Sequence, residues 1–410
     1  MFRGGPQHLG VYESTAPQMH SVKWRFYVKT KFISSPTVSG GVVYVGGVNR
    51  AVYALRAEDG SVLWRFRTQG AVTSSPAVWE SRVYVASIDG LIYALDAQTG
   101  RLVWQFKTAG EARYSVKGIH GLMPSTELMP EPFDMFISSP TIAGTTLYFG
   151  SGDHNIYAID ARTGSLRWKF VTGDVVHASP AVDNGVVYIG SWDRYFYALN
   201  AATGELKWKA ETDDDPIAHN MVGNVSSATV AGDTVYFGSR DGHFYALRTK
   251  DGSLKWRHDD HGSWVISSPA FDAGVVYYVT SDEHLFLALD AETGREVFHV
   301  KDDTFSYSSP SIASGHAFYG TFDGRIYDVD IKTGSVVGMF ETDGSKRNRA
   351  AHLNADGSLN LRSFDSDGTY EGLIAAVDRI ASLGSIVGAP CIADGMLYVS
   401  STDGTIYALR

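Results

Sequence analysis

One short frame recurs along this chain and constrains its fold more than any other feature. In residues 158–180, AIDARTGSLRWKFVTGDVVHASP, a strand ends near Asp160, a turn follows at residues 162–164, and the next strand contains Trp168. The glycine of the turn supplies the positive φ that a short connection between antiparallel strands requires. The same frame ends at Trp64, Trp104, Trp208 and Trp256, and weaker copies end at Phe298 and Gly338.

A Ser-Pro pair follows most copies and marks an inner strand. The pairs begin at Ser35, Ser75, Ser139, Ser179, Ser268 and Ser309, with Ser227-Ala228 and Ala389-Pro390 as departures. Compact repeats are 40 residues long, for example from Trp24 to Trp64, which is typical of four-stranded propeller blades. Trp24 lies on an outer strand with no turn before it, and the chain ends at residues 407–410, where the next turn should follow. The two ends are therefore predicted to complete one blade.

The A-x-D-x-x-T-G-x-x-x-W frame, the S-P-x-V strand and the V-Y-x-G-S-x-D-G-x-x-Y-A-L hairpin together resemble the pyrroloquinoline-quinone-like (PQQ-like) repeat. The resemblance covers nearly the whole chain. It implies an all-β fold, an eight-bladed β-propeller of four-stranded antiparallel blades whose ring is closed by the N-terminal strand. It also implies that the frame tryptophans dock between neighbouring blades as structural residues: Trp24, Trp64, Trp104, Trp168, Trp208 and Trp256.

The composition of the chain limits the classes of partner that it can bind. The 410 residues are predicted to form one propeller domain, with residues 1–21 as an N-terminal arm. A formal net charge of −10 and the absence of a basic run interleaved with aromatic residues argue against nucleic-acid binding. No stretch approaches the roughly 18 to 20 apolar residues of a membrane span. The single cysteine, Cys391, cannot form an internal disulfide.

The compartment depends on how the N-terminus is interpreted. The opening residues, MFRGGP, contain no basic-then-apolar signal segment, so a native start at Met1 would indicate the cytoplasm. The opening also resembles the W-P-x-F-R-G segment that follows a cleaved signal in exported PQQ-like proteins. We therefore expect a periplasmic or extracellular protein.

Three insertions interrupt the repeat, at about residues 109–136, 211–224 and 343–385. The last contains a segment with helical spacing, YEGLIAAVDRIASLG. All three are crossings between blades. In an antiparallel blade the crossings share a rim with the hairpins between the second and third strands. One rim is therefore elaborated, and the other is expected to carry only tight turns.

The elaborated rim gathers polar and aromatic side chains that we take as candidate ligand-binding residues. Crossings contribute Arg113, Lys117, His120, His177, His219, Asn220 and Trp264, and hairpin tips contribute Trp192, Asp193, Arg194 and Arg240. Trp192 and Trp264 fall outside the docking frame, so interblade packing does not account for them. No short His/Cys/Asp spacing predicts a metal site.

Three functions remain open from the sequence. The first is a non-catalytic scaffold, similar to the outer-membrane assembly lipoprotein of this fold, that binds a protein partner or a small polar ligand at the elaborated rim. The second is a quinoprotein oxidoreductase using PQQ and calcium, although the chain lacks the adjacent cysteines common in quinoprotein dehydrogenases. The third is another enzyme acting on a carbohydrate-like substrate in the axial funnel, with His177 or His219 as general acid/base and Asp193 orienting it. The catalytic residues are unknown.

Overall fold

The computed structural model describes residues 2–214 and 223–410, which form eight four-stranded antiparallel sheets arranged as the blades of one ring. Blades 1 to 4 are β2–β5 (Thr37–Ser39, Val42–Gly47, Ala51–Arg56, Val62–Arg67), β6–β9 (Ala77–Trp79, Arg82–Ser87, Leu91–Asp96, Leu102–Lys107), β12–β15 (Thr141–Ala143, Thr146–Gly150, Asn155–Asp160, Leu166–Val171) and β16–β19 (Ala181–Asp183, Val186–Gly190, Tyr195–Asn200, Leu206–Glu211). Blades 5 to 7 are β20–β23 (Thr229–Ala231, Thr234–Gly238, His243–Arg248, Leu254–Asp259), β24–β27 (Ala270–Asp272, Val275–Val279, Leu285–Asp290, Glu296–Lys301) and β28–β31 (Ser311–Ala313, His316–Gly320, Arg325–Asp330, Ser335–Glu341).

Blade 8 joins the two ends of the chain, as the sequence predicts. It contains β32 (Cys391–Ala393), β33 (Met396–Ser400) and β34 (Thr405–Leu409), and its outer strand is β1 (Val22–Tyr27). Strand β1 pairs antiparallel with β34, with Arg25 opposite Tyr407. Because the closing strand comes from the opposite end of the chain, the ring has no open end at which blades could separate. The predicted eight-bladed propeller is confirmed.

Each frame tryptophan connects its blade to the next. Trp64 donates its indole N–H to the Ala97 carbonyl at 2.9 Å, and its ring lies against Gly100, the turn glycine of the next blade. The equivalent acceptors are Ala57 for Trp24, Ala161 for Trp104, Ala201 for Trp168, Thr249 for Trp208 and Ala291 for Trp256. A docked tryptophan removes about 150 to 250 Å² from water, so these contacts supply much of the interblade stabilisation.

The junction between blades 7 and 8 is built differently. Gly338 stands opposite Asp328 on the adjacent strand, where the other blades pair a frame aromatic residue with alanine. Met19 of the N-terminal arm packs beside Gly338 and joins the apolar core between the two blades. The Asp328 carboxylate lies 2.8 Å from Nδ1 of His316. A side chain from another part of the chain thus replaces the missing indole.

The Ser-Pro serines form a ring around the axis. The backbone N–H of Ser35 donates to the hydroxyl of Ser75 in the next blade at 3.1 Å. Five further links of this kind run from Ser75 to Ser139, Ser139 to Ser179, Ser179 to Ser227, Ser268 to Ser309 and Ala389 to Ser35. Inner strands have a free edge towards the axis, and these hydroxyls satisfy its backbone groups without another strand.

The N-terminal arm covers the rim that the sequence assigned to tight turns alone. Its carbonyl groups accept hydrogen bonds from inner strands of four consecutive blades: Pro6 from Val182, Gln7 from Val230, Leu9 from Phe271 and Gly10 from Ile312. The buried Arg3 guanidinium donates to the carbonyls of Pro310 and, at 2.5 Å, Pro269. Phe2 lines the axial cavity from this side. The base of the ring is therefore closed by the arm.

Two of the insertions form a layer on the opposite rim. Residues 109–136, which we call the lid, contain the hairpin β10 (Ser115–Lys117) and β11 (Leu128–Pro130) and a 3-10 helix at Ile119–Gly121. Residues 343–385, which we call the cap, contain α1 (Asp343–Asn348), 3-10 helices at Arg349–His352 and Leu361–Phe364, and α2 (Tyr370–Ala381). No helix of the described residues is both long and apolar enough to cross a membrane.

The lid and the cap pack on each other as well as on the ring. Phe133 and Phe136 of the lid share an apolar cluster with Phe364 and Ile380 of the cap. The Tyr370 hydroxyl donates to the Pro130 carbonyl at 2.7 Å. Most of the expansion at 211–224 falls on residues 215–222, outside the described residues.

Candidate functional site on the elaborated rim

A collar of mostly apolar side chains surrounds the axis immediately above the serine ring. Each collar residue lies two positions before the serine of the ring or its equivalent: Ile33, Thr73, Ile137, His177, Val225, Ile266, Tyr307 and Val387. Six of the eight line a small axial cavity of about 50 Å³, between Phe2 of the arm and Phe136 of the lid. His177 is the one ionisable imidazole among these collar positions.

His177 is buried between two carboxylates of the lid. Its Nδ1 donates to Asp134 Oδ1 at 2.8 Å and its Nε2 donates to Glu111 Oε1 at 2.9 Å. Burial alone would lower the pKa of His177, but Asp134 and Glu111 outweigh it and raise the pKa to about 10. The imidazole is therefore a cation at neutral pH with both ring nitrogens occupied. In this arrangement it links the ring to the lid and has no free nitrogen to act as a base.

The two carboxylates are themselves fixed by the lid and by the third blade. Glu111 accepts from the Gly152 backbone N–H at 2.9 Å and from the Ser151 hydroxyl at 3.2 Å. Asp134 accepts from the Tyr114 backbone N–H at 2.9 Å. Lid residues that sequence reasoning did not select thus determine the state of His177.

A second buried ion pair lies beside the first. Arg240, 1% exposed, donates from Nη1 to Glu131 Oε2 at 3.3 Å, and His120 Nε2 lies 3.2 Å from the same carboxylate. Burial raises the pKa of Glu131, but the charge of Arg240 and the contacts with His120 and the Phe133 N–H lower it to about 2. Glu131 is therefore ionised, and like Glu111 and Asp134 it belongs to the lid.

Two tryptophans enclose the Arg240 guanidinium. Its central carbon lies 3.7 Å from the ring centroid of Trp264 and 4.9 Å from that of Trp192. On its other side Trp192 stacks on Tyr114 of the lid, with centroids 4.0 Å apart and planes 9° from parallel. Cation–π contacts of this kind are strongest where water is excluded. The two tryptophans that interblade docking could not explain therefore hold Arg240 and the lid.

The remaining candidates lie elsewhere. The Asp193 carboxylate accepts from the Gly173 and Tyr195 backbone N–H groups and the Tyr197 hydroxyl, at 2.7 to 3.0 Å. Asp89, Asp153, Asp241 and Asp403 make equivalent contacts in their own hairpins. Arg194 pairs with Glu211 and Asp214. Arg113 and Lys117 are exposed on the lid. His219 and Asn220 lie outside the described residues.

Five predicted residues therefore come together in one cluster: His120, His177, Trp192, Arg240 and Trp264. Arg113 lines a small pocket beside His177 but is exposed on the lid. Sequence reasoning selected the cations and aromatic rings of this cluster and missed its carboxylates. The carboxylates could have been predicted from the sequence, because the insertion that follows β9 carries Glu111, Glu131 and Asp134. Buried cations require paired carboxylates, so acidic residues in the insertion are their natural partners.

An open groove runs beside the cluster on the same rim. Its volume is about 190 Å³, and it lies between the hairpin tips of blades 1, 2 and 8, the lid and helix α2. Apolar side chains form most of its wall: Ile33, Val48, Ala71 and Ile88 from the ring, Pro132 and Met135 from the lid, and Ile374, Val377 and Ala381 from α2 and its end. We call this feature the rim groove.

The residues at the axis do not fit a quinone with calcium. The slot between Trp192 and Trp264 is filled by the chain's own Arg240, and the nearby carboxylates Glu111 and Asp134 are both engaged by His177. Within residues 2–214 and 223–410 no group of three or more His, Cys, Asp or Glu side chains is arranged to hold a metal ion. The buried Cys391 has no adjacent cysteine in the sequence.

Comparison with known proteins now gives the family. A family model described as outer membrane protein assembly factor BamB matches residues 15–119, 130–262 and 230–410, nearly the whole chain. The chain belongs to this family. The match agrees with the PQQ-like repeat indicated by the frame tryptophans and the Ser-Pro strands. No curated protein is similar in sequence at a significant level.

Solved structures with the same fold include a BamB protein and two dehydrogenases. BamB from Moraxella catarrhalis superposes with a TM-score of 0.69 at 15% identity, covering 95% of this chain and 99% of that one. A europium-containing methanol dehydrogenase gives 0.73 at 15% identity, covering 100% and 97%. The quinohemoprotein alcohol dehydrogenase from Comamonas testosteroni gives 0.71 at 15% identity, covering 98% and 78%. At this identity the likeness concerns the fold alone, which hosts unrelated functions.

Proposed function

We propose that this chain is a non-catalytic binding protein that recognises a segment of a protein partner at its elaborated rim. One observation carries the proposal: the chain's own segments reach the axis, where Phe2 of the arm and Phe136 of the lid both line the axial cavity. The protein's own side chains thus occupy much of the axial funnel, where an enzyme of this shape would bind its substrate. The rim groove is a concave surface on the elaborated rim that is open to a partner.

The state of the buried cluster supports a structural role over a catalytic one. A general base must be able to take a proton near the working pH, whereas His177 is already protonated and holds Asp134 and Glu111. Arg240 is similarly committed to Glu131. These ion pairs attach the lid to the ring, and opening them would leave buried charges without partners.

The family match supports a protein partner. Its description refers to assembly of outer membrane proteins, and BamB from Moraxella catarrhalis covers nearly the same length as this chain. The same description supports a location outside the cytoplasm. A quinoprotein function requires a free planar slot and a metal site, and the arrangement around Arg240 supports neither.

A random peptide library displayed on phage tests the proposal directly. We expect peptides selected on the protein to be rich in apolar residues and to lose at least tenfold in affinity when Val377 of the groove is changed to aspartate. The matched control is Val297→Asp, which alters an exposed valine on the outer strand of blade 6. Thermal melting must show that both variants remain folded.

Two results would contradict the proposal. One is a library from which no peptide depends on the groove, so that Val377→Asp and Val297→Asp bind every selected peptide equally. The other is stoichiometric binding of pyrroloquinoline quinone to the purified protein in the presence of calcium. That result would show that the slot around Arg240 opens and would favour the oxidoreductase instead.

A further inference from the structure

The charge of the rim groove differs in sign from that of the whole protein. Among its lining residues the ionisable side chains are Lys31, Arg113 and Asp378, two cations and one carboxylate. The chain as a whole carries a formal net charge of −10. A positive groove on a negative protein attracts an anionic group to that place more than to the surrounding surface.

The two cations are not equivalent. Lys31, on the connection between β1 and β2, forms an ion pair with Asp378 of helix α2. The pair joins the ring to the cap across the groove, and it neutralises Lys31. Arg113 projects from the lid and is exposed, so it sets the net charge of the groove. A guanidinium also presents paired N–H donors that match the two oxygens of a carboxylate.

A buried polar atom also lines the groove. Thr73, 4% exposed, has a hydroxyl with no hydrogen-bond partner among the described residues. The corresponding collar residues of the two neighbouring blades are Ile33 and Ile137, which require no partner. A buried hydroxyl left without a partner costs free energy, so Thr73 marks a point at which a ligand's polar group would be favourable.

We propose that the groove takes an extended, mainly apolar segment of a partner protein that carries an acidic side chain, and that this carboxylate pairs with Arg113. The inference rests on the proposed function and adds the chemistry of the partner. Val377, Ile374 and Met135 contact the apolar side chains of the segment, Arg113 its carboxylate, and the Thr73 hydroxyl a backbone group. Asp378 lowers the positive charge of the groove, because it neutralises Lys31.

The test compares peptides selected from one random library on three forms of the protein: wild type, Arg113→Gln and Arg113→Glu. We expect acidic residues to be enriched beside apolar ones on wild type, no charge preference on Arg113→Gln, and enrichment of lysine or arginine on Arg113→Glu. For one selected peptide, replacing its acidic residue by the matching amide should weaken binding to wild type about tenfold and leave binding to Arg113→Gln unchanged. Asp378→Asn frees Lys31 and should strengthen binding of the acidic peptide.

The outcomes separate this inference from the proposed function. Peptides that bind the groove with the same acidic content on all three forms would overturn the charge inference, while Val377→Asp sensitivity would keep the proposed function. If no selected peptide depends on Val377, both are wrong. A tenfold effect of the amide replacement that persists in Arg113→Gln would assign the carboxylate contact to another residue and would also overturn the inference.

Discussion

Gly100 lies directly against the indole of Trp64 in the preceding blade, and a Cβ atom at this position would come within 2.6 Å of the indole Cδ2. Its φ of +68° also lies in the region that favours glycine. The turn glycine therefore has two functions: it closes the turn and it receives the tryptophan of the neighbouring blade. The same contact recurs at Gly60, Gly164, Gly204, Gly252 and Gly294.

A matched pair of glycine variants separates these two functions. Gly144 has a φ of +60°, and a Cβ atom at this position would have no neighbour within 4 Å, so Gly144→Ala should cost only the left-handed backbone strain, about 1 to 2 kcal/mol. Gly100→Ala should add an overpacking cost of about 1 to 3 kcal/mol. Thermal and urea unfolding of both variants measures the difference. Equal destabilisation would show that the blades move apart at no cost.

The pairing of His177 predicts a pH dependence of stability. Because the folded pKa, about 10, lies above the ordinary value of 6.5, the stabilisation is fully present below about pH 6.5 and is lost as pH rises towards 10. His177→Gln leaves Asp134 and Glu111 buried without a cation and should cost about 3 to 5 kcal/mol at neutral pH. Melting temperatures of both proteins between pH 6 and 10 should converge at the alkaline end. A constant difference across that range would contradict an imidazolium at this position.

The Arg240–Glu131 pair is expected to hold the lid. Arg240→Met removes the cation and leaves Glu131 buried with only His120 beside it, which should cost about 3 kcal/mol or more. Hydrogen exchange in residues 109–136 should accelerate, while exchange in the blades stays slow. Adding Glu131→Gln to this variant should restore much of the protection, since the unpaired charge is then gone. Arg194→Met is the control: this partly exposed arginine pairs with Glu211 and Asp214 at the surface, and its loss should change stability by about 0 to 1 kcal/mol.

Arg3 is expected to anchor the arm on the base of the ring. It is 2% exposed and donates to two proline carbonyls in blades 6 and 7. Arg3→Met should release the arm, so the amides of Val182, Val230, Phe271 and Ile312 should exchange faster. Frame positions such as Trp64 should keep their protection. Unchanged exchange at all four amides would show that backbone pairing alone holds the arm.

The sequence was sufficient to predict the propeller ring, because the residues that specify each blade are close together in sequence and recur from repeat to repeat. A turn glycine, a tryptophan four residues later and a Ser-Pro strand recur every 40 residues in the compact blades, and each blade buries its faces only by stacking on its neighbours. The helix in the cap could also be predicted, because Leu373, Ile374, Val377 and Ile380 follow helical spacing. The structure confirms it as α2, Tyr370–Ala381. Closure by β1 was predicted because the N-terminus carries one unpaired outer strand and the last blade lacks its outer strand.

The functional interpretation depended on contacts between residues far apart in sequence, which the repeat does not encode. Sequence alone placed His177, Arg240 and the two extra tryptophans on one rim, but not the carboxylates of the lid that occupy them. Whether a buried histidine is a base or a fixed cation is decided by neighbours within about 3 Å, here Asp134 and Glu111. Only the tertiary structure showed that the arm and the lid reach the axis and that an open groove lies beside the cluster, because both depend on segments far apart in sequence.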